Sequence, residues 1–298
     1  MNNPIMVASG TFGYGAEFAE LKGFSHDELG AIVLKGTTLN KTLGNPVPRI
    51  AEVDCGIINS IGLQNPGVDY VLANYLPLLR QYKTNIIVNI AGYYEEEYQE
   101  IVKRLDDAEG IHAIEVNISC PNIKKGGMQF GTDPRMTRSV TDKIRKSTRL
   151  PVIVKLSPNV TDIRQIANAA VEGGADALSL INTVSAMAID TKTRRPKLGA
   201  NAGGLSGPAI RPIAIHKVYE TYQYSKEHKI PLIGVGGIET ANDIIEFVLA
   251  GATAVQIGTS TLIYKSTVKK ILNDLKEEIV NMGFSAINDL VGKVITNK

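Results

Sequence analysis

Short apolar runs rich in Val and Ile recur along the chain, most of them separated by stretches of helical periodicity. They are IMVAS (5–9), AIVLKG (31–36), IIVNIAG (86–92), AIEVNIS (113–119), VIVKLS (152–157), ALSLINT (177–183), LIGVGG (232–237) and AVQIGT (254–259). Runs this continuously apolar suit parallel strands covered on both faces, and their alternation with helices predicts right-handed βαβ units. The helical patterns span 67–81, 94–108, 134–147, 162–172, 209–228, 240–250 and 266–280, with Asp133, Thr161 and Thr240 as expected N-caps. Eight strands and their helices in 298 residues predict an α/β fold, a (β/α)8 TIM barrel. A doubly wound open sheet is the competing architecture. Against it, no G-x-G-x-x-G follows the first run, and polar residues close nearly every run instead of gathering at one switch point.

Two stretches exceed a minimal barrel: residues 37–66 after the second run, and the Gly-rich 184–208 after the sixth. Both leave from carboxyl ends of strands, the face on which barrels build active sites, so the expectation is a single domain, 1–298, with active-site loop insertions. Composition then narrows the function classes. Hydrophobic residues make up 44% and charged residues 21%, ordinary for a globular chain with a sizeable core. Basic residues number 32 against 30 acidic, which leaves no electrostatic footprint for nucleic acid or an anionic membrane. No apolar run reaches spanning length, and MNNPIMVASG lacks the basic region and long apolar core of a signal peptide. A cytoplasmic location is expected. Cys55 and Cys120 make no disulfide framework, and His26, His112, His216 and His228 show no metal-ligand spacing, so no metal is expected.

In a barrel the strand ends converge: Ser9 with Gly10, Lys35 with Gly36, Asn89, Asn117 with Cys120, Lys155, Asn182 with Thr183, Gly236 with Gly237, and Gly258 with Thr259, joined by Asn59 to Leu63 from the first insertion. The glycines after the seventh and eighth strands sit where barrels commonly bind phosphate through backbone N–H groups, the competing reading being tight βα turns. Lys35 and Lys155 interrupt apolar strands, which is costly unless each meets an anion or is neutralised. A Schiff-base lysine and a cation that stabilises an electron-rich ring or a carboxylate both fit. Two lysines beside a phosphate site point to an anionic cofactor and an anionic substrate. Asn59, Asn89, Asn117 and Asn182 donate and accept at once, which suits a planar molecule with alternating C=O and N–H, a pyrimidine or a flavin ring. Cys120 stands where a buried-strand pattern runs into a polar turn. A free cysteine is ordinarily a small buried hydrophobe, but this one is delivered among those groups.

The motifs GNPVPR (44–49), NSIGLQNPG (59–67), EVNISCPN (115–122), VIVKLSPNVTD (152–162), INT (181–183), GGLSGPAI (203–210), GVGGI (234–238) and QIGT (256–259) closely resemble class 1 dihydroorotate dehydrogenases, in order and over almost the whole chain. ASGTFGYG (8–15), VNIAG (88–92) and GGMQFG (126–131) are most similar to the class 1B, NAD-linked catalytic subunit. The resemblance implies an FMN-containing barrel that oxidises (S)-dihydroorotate to orotate in pyrimidine biosynthesis. It implies Cys120 as the base at substrate C5 while hydride leaves C6 for the flavin. FMN would be held by Ser9, Asn89, Asn117, Lys155, Ile181, Gly207, Gly236, Gly237, Gly258 and Thr259, with Lys35 and Gly36 beside it. The substrate would be held by Lys35, Asn59, Ser60, Ile61, Gly62, Leu63, Asn117, Asn182 and Thr183. Pro121, Gly126 and Gly127 would shape a loop able to open for entry. The implied assembly is a homodimer core with an iron-sulfur flavoprotein subunit carrying FAD and a [2Fe-2S] cluster, a heterotetramer. Family members usually open with a short β-hairpin, whereas Asn3-Pro4 leads almost directly into the first strand here.

Overall fold

The computed structural model describes residues 1–18, 24–118, 130–263 and 267–297. All eight apolar runs form strands: β1 (Ile5–Val7), β2 (Ala31–Val33), β3 (Asn85–Ile90), β4 (Ala113–Asn117), β5 (Val152–Leu156), β6 (Ala177–Leu180), β7 (Leu232–Val235) and β8 (Ala254–Ile257). Each pairs in parallel with its sequence neighbours, and β8 pairs with β1 to close the barrel. Strand alternation divides the apolar residues between two cores. Ile114, Val116, Val152 and Val154 face the surrounding helices. Met6, Val33, Ala113, Ile153 and Ile233 pack inside the barrel as an apolar plug. Further along the same inward faces the side chains turn polar, and Asn89, Glu115, Lys155, Ser179 and Gln256 are all buried.

The main helices are Glu95–Asp106, Pro134–Ser147, Ile163–Glu172, Arg211–His228, Ala241–Ala250 and Thr267–Asn281. Asp133 and Thr240 cap as expected, Thr240 in a capping box with Asp243. The cap expected at Thr161 is instead Asp162, which accepts from the Arg164 N–H. A carboxylate there adds favourable charge to the hydrogen bond at the positive helix end. The pattern at 67–81 breaks into Val68–Tyr70, a π turn Val71–Tyr75 and Leu76–Leu79. Pro77 has no N–H to give the preceding turn, and the Leu76 N–H reaches back to the Val71 carbonyl instead.

The two insertions are not independent loops. They supply the strands Ile50–Val53, Gly56–Asn59, Gly203–Ser206 and Val184–Ala186 of one antiparallel sheet, in that spatial order. Asn59 pairs with Ile50 on one side and Gly204 on the other. Ala51, Ile58 and Leu198 give this sheet a small core of its own. Among the described residues no helix is long and apolar enough to cross a membrane.

Candidate active site

A cavity of about 440 Å³ opens at the carboxyl ends of the barrel strands, with the insertion sheet as one wall. Its lining contains Ser9, Lys35, Gly36, Asn59, Ile61, Gly62, Leu63, Asn89, Asn117, Lys155, Ile181, Asn182, Thr183, Gly207, Gly236, Gly237, Gly258 and Thr259. Thus the residues expected around a cofactor and those expected around a substrate share one cavity, of a size usual for small-molecule sites. Ser60 is placed differently. It is fully buried, its Oγ accepts from Asn45 Nδ2 at 2.8 Å, and it lies outside the lining. Cys120 lies outside the described residues, as do Pro121, Gly126 and Gly127.

The two lysines meet the cost of burial in different ways. Lys155, at 6% exposure, has its Nζ 3.6 Å from Oε1 of the fully buried Glu115. Burial pushes the Lys35 ammonium below the ordinary lysine value, against the opposing pull of the Glu17 carboxylate. Asn89 Nδ2 donates to Glu115 Oε1 at 2.7 Å. That fixes the amide with Oδ1 on its other side, where it has no hydrogen-bond partner among the described residues.

The remaining amides form a linked array. Tyr98 donates its hydroxyl to the Asn117 carbonyl at 2.9 Å, which pins the end of β4. Asn182 Nδ2 approaches Asn117 Oδ1 at 3.4 Å, while Asn182 Oδ1 accepts the Thr183 N–H at 2.8 Å. Asn59 Nδ2 reaches the Gly204 carbonyl at 3.3 Å across the insertion sheet. Gly204 makes room for this array, because a Cβ there would fall 1.8 Å from Thr183 Oγ1.

On the opposite side, Gly236 and Gly237 have φ of +141° and +70°, which side-chain-bearing residues rarely adopt. A Cβ on Gly237 would lie 2.7 Å from the Gly207 carbonyl oxygen. The close approach therefore serves packing as well as leaving backbone accessible to a ligand. Thr259 Oγ1 and Ser206 Oγ, 2.9 Å apart, tie this corner to the insertion sheet.

Several functional candidates escaped the sequence reading. Thr11, Gly204 and Ser206 line the cavity. Beneath it, Glu115, Ser179 and Gln256 form a buried polar layer. A signal for that layer exists in the strand period: Glu115, Ser179 and Gln256 each stand two positions before a site candidate, Asn117, Ile181 and Gly258, and so share its face.

The family model described as dihydroorotate dehydrogenase matches residues 1–280. The chain belongs to the dihydroorotate dehydrogenase family. The dihydroorotate dehydrogenase B (NAD(+)) catalytic subunit of Desulforamulus reducens is 53% identical over 292 residues, 98% of this chain and 94% of the relative. The subunit of the same name from Caldicellulosiruptor bescii is 50% identical over 294 residues, 99% of this chain and 96% of the relative. Within the dihydroorotate dehydrogenases the chain thus stands with the NAD-linked, class 1B catalytic subunits. The crystal structure of Eimeria tenella DHODH in complex with ferulenol matches with a TM-score of 0.81 at 24% identity, covering 98% of this chain and 85% of that one. That likeness is one of fold.

Proposed function

We propose that this chain is a single-domain flavoenzyme that oxidises (S)-dihydroorotate to orotate in pyrimidine biosynthesis. The observation that carries the reading is the single cavity in which Lys35, Lys155, four asparagines and the glycines after β7 and β8 converge. The residues fit FMN. Asn89 Oδ1 is a buried acceptor lacking a donor among the described residues, Lys155 is a buried cation, and Gly236, Gly237, Gly258 and Thr259 allow backbone to approach a phosphate. FMN, when bound, supplies the acceptor for the hydride that leaves substrate C6.

Ser9, Lys35, Gly36, Asn89, Asn117, Lys155, Ile181, Gly207, Gly236, Gly237, Gly258 and Thr259 would hold the cofactor. Lys35, Asn59, Ile61, Gly62, Leu63, Asn117, Asn182 and Thr183 hold the substrate. Lys35 meets the carboxylate, since an anion offsets the cost of its burial. The asparagine amides match the alternating C=O and N–H of the ring. Ser60 supports this segment from behind through Asn45. Cys120 removes the C5 proton.

The partners follow from what the reaction must do next. Electrons pass to NAD through an iron-sulfur flavoprotein subunit carrying FAD and a [2Fe-2S] cluster, arranged around a homodimer of this chain in the cytoplasm. Exposed Leu43, Val47, Met187 and Ile189 on the insertions supply apolar surface of the kind a partner covers.

The test is turnover of dihydroorotate by the purified chain with an artificial dye as acceptor. Orotate formation in step with dye reduction is expected, and borohydride treatment with substrate leaves Lys35 and Lys155 unmodified. A borohydride-trapped lysine adduct without orotate would overturn the reading in favour of Schiff-base chemistry.

A further inference from the structure

Glu115 lies at the centre of the barrel, directly beneath the cavity, and is fully buried. Its carboxylate draws on four other strands. Oε1 accepts from Asn89 of β3 at 2.7 Å and faces the Lys155 ammonium of β5 at 3.6 Å. Oε2 accepts from Ser179 of β6 at 3.0 Å and from Gln256 of β8 at 2.6 Å. All four neighbours are donors, and a carboxylate is the side-chain group that accepts at every lone pair. Both amides are thereby locked, because rotating either by 180° would aim a carbonyl oxygen at a carboxylate oxygen.

The two consequences reach the cavity. Asn89 lines it and must present its oxygen, not its NH2, on the side away from Glu115. Lys155 also lines it and, among the described residues, is the only partner of Glu115 that carries charge, so the pair forms a buried dipole whose positive end lies at the cavity. We infer that Glu115 is a positioning residue and internal counter-ion: it orients Asn89 as an acceptor and limits the positive potential that Lys155 applies to the bound flavin. This rests on the proposed FMN site and deepens it. A buried charge lining the cavity that would hold a ring which becomes electron-rich on reduction is felt strongly at low effective dielectric.

The experiment is a spectroelectrochemical titration of the FMN midpoint potential in wild type, Glu115→Gln, Lys155→Met and the double variant. Removing the carboxylate leaves Lys155 uncompensated, so Glu115→Gln favours the reduced flavin at least tenfold, an upward shift of about 30 mV for a two-electron couple. In the Lys155→Met background, adding Glu115→Gln again raises the potential, because a negative charge is removed. This second comparison does not use the Glu115→Gln single variant, so it stands even where that variant does not fold. Equal potentials within both pairs overturn the inference. In flavin-free protein, NMR of the Asn89 side-chain amide gives an independent readout: Glu115→Gln moves the resonances of the Nδ2 group that donates to Glu115, and unmoved resonances overturn the inference as well. A wild-type chain that binds FMN but is not reduced by dihydroorotate instead refutes the functional reading, leaving the potentials to decide the role of Glu115.

Discussion

At the residue scale the account turns on a few side chains whose chemistry can be changed one at a time. Cys120→Ser exchanges a thiol for a far weaker acid, and a well-placed base contributes roughly 10² to 10⁴ in rate. Turnover at neutral pH therefore falls by that order with flavin retained, while wild-type activity rises toward pH ~8.5, where an ordinary thiol ionises. A flat wild-type profile from about pH 6 to 9 would count against the assignment. Lys35 has a linkage consequence. Burial lowers its folded value beneath the ordinary 10.5, so between the two values the unfolded chain binds more protons and stability rises with pH. At neutral pH the group therefore costs stability, and a bound anion offsets that cost. Lys35→Met should leave the ligand-free melting temperature unchanged or higher and abolish the rise caused by orotate; an undiminished orotate shift contradicts the role. Tyr98→Phe removes a partly buried hydroxyl bond to the Asn117 backbone carbonyl, a loss of about 1 kcal/mol by denaturant titration.

At the scale of elements, the barrel strands were legible because parallel strands buried on both faces leave unbroken apolar runs. The polar interruptions Lys35, Asn89, Asn117 and Lys155 stood out against those runs as site candidates. The insertion sheet was not legible, because Asn59 pairs with Gly204 across 145 residues and neither segment carries that register alone. Glu115 was passed over for a related reason: its partners come from four other strands, and only closure of the barrel brings them together. The sheet has its own functional test. Gly204→Ala drives a methyl group into Thr183, so KM for dihydroorotate rises about tenfold, or about 1.4 kcal/mol, while flavin content stays unchanged. An unchanged KM would detach Thr183 from substrate binding.

At the scale of the whole molecule, the cavity draws on all eight strand ends and both insertions, so the site exists only when the barrel is closed and the sheet is paired. The relatives named NAD(+)-linked catalytic subunits support the proposed assignment of electron delivery to a partner. Full-rate NAD reduction by the purified chain alone would refute that assignment. The most direct test of the central claim is an anaerobic visible spectrum of the purified chain before and after dihydroorotate. The account predicts a yellow protein with flavin absorbance that bleaches on addition of substrate as one equivalent of orotate appears. A colourless protein, or a yellow one whose flavin bands survive dihydroorotate unchanged, would contradict it.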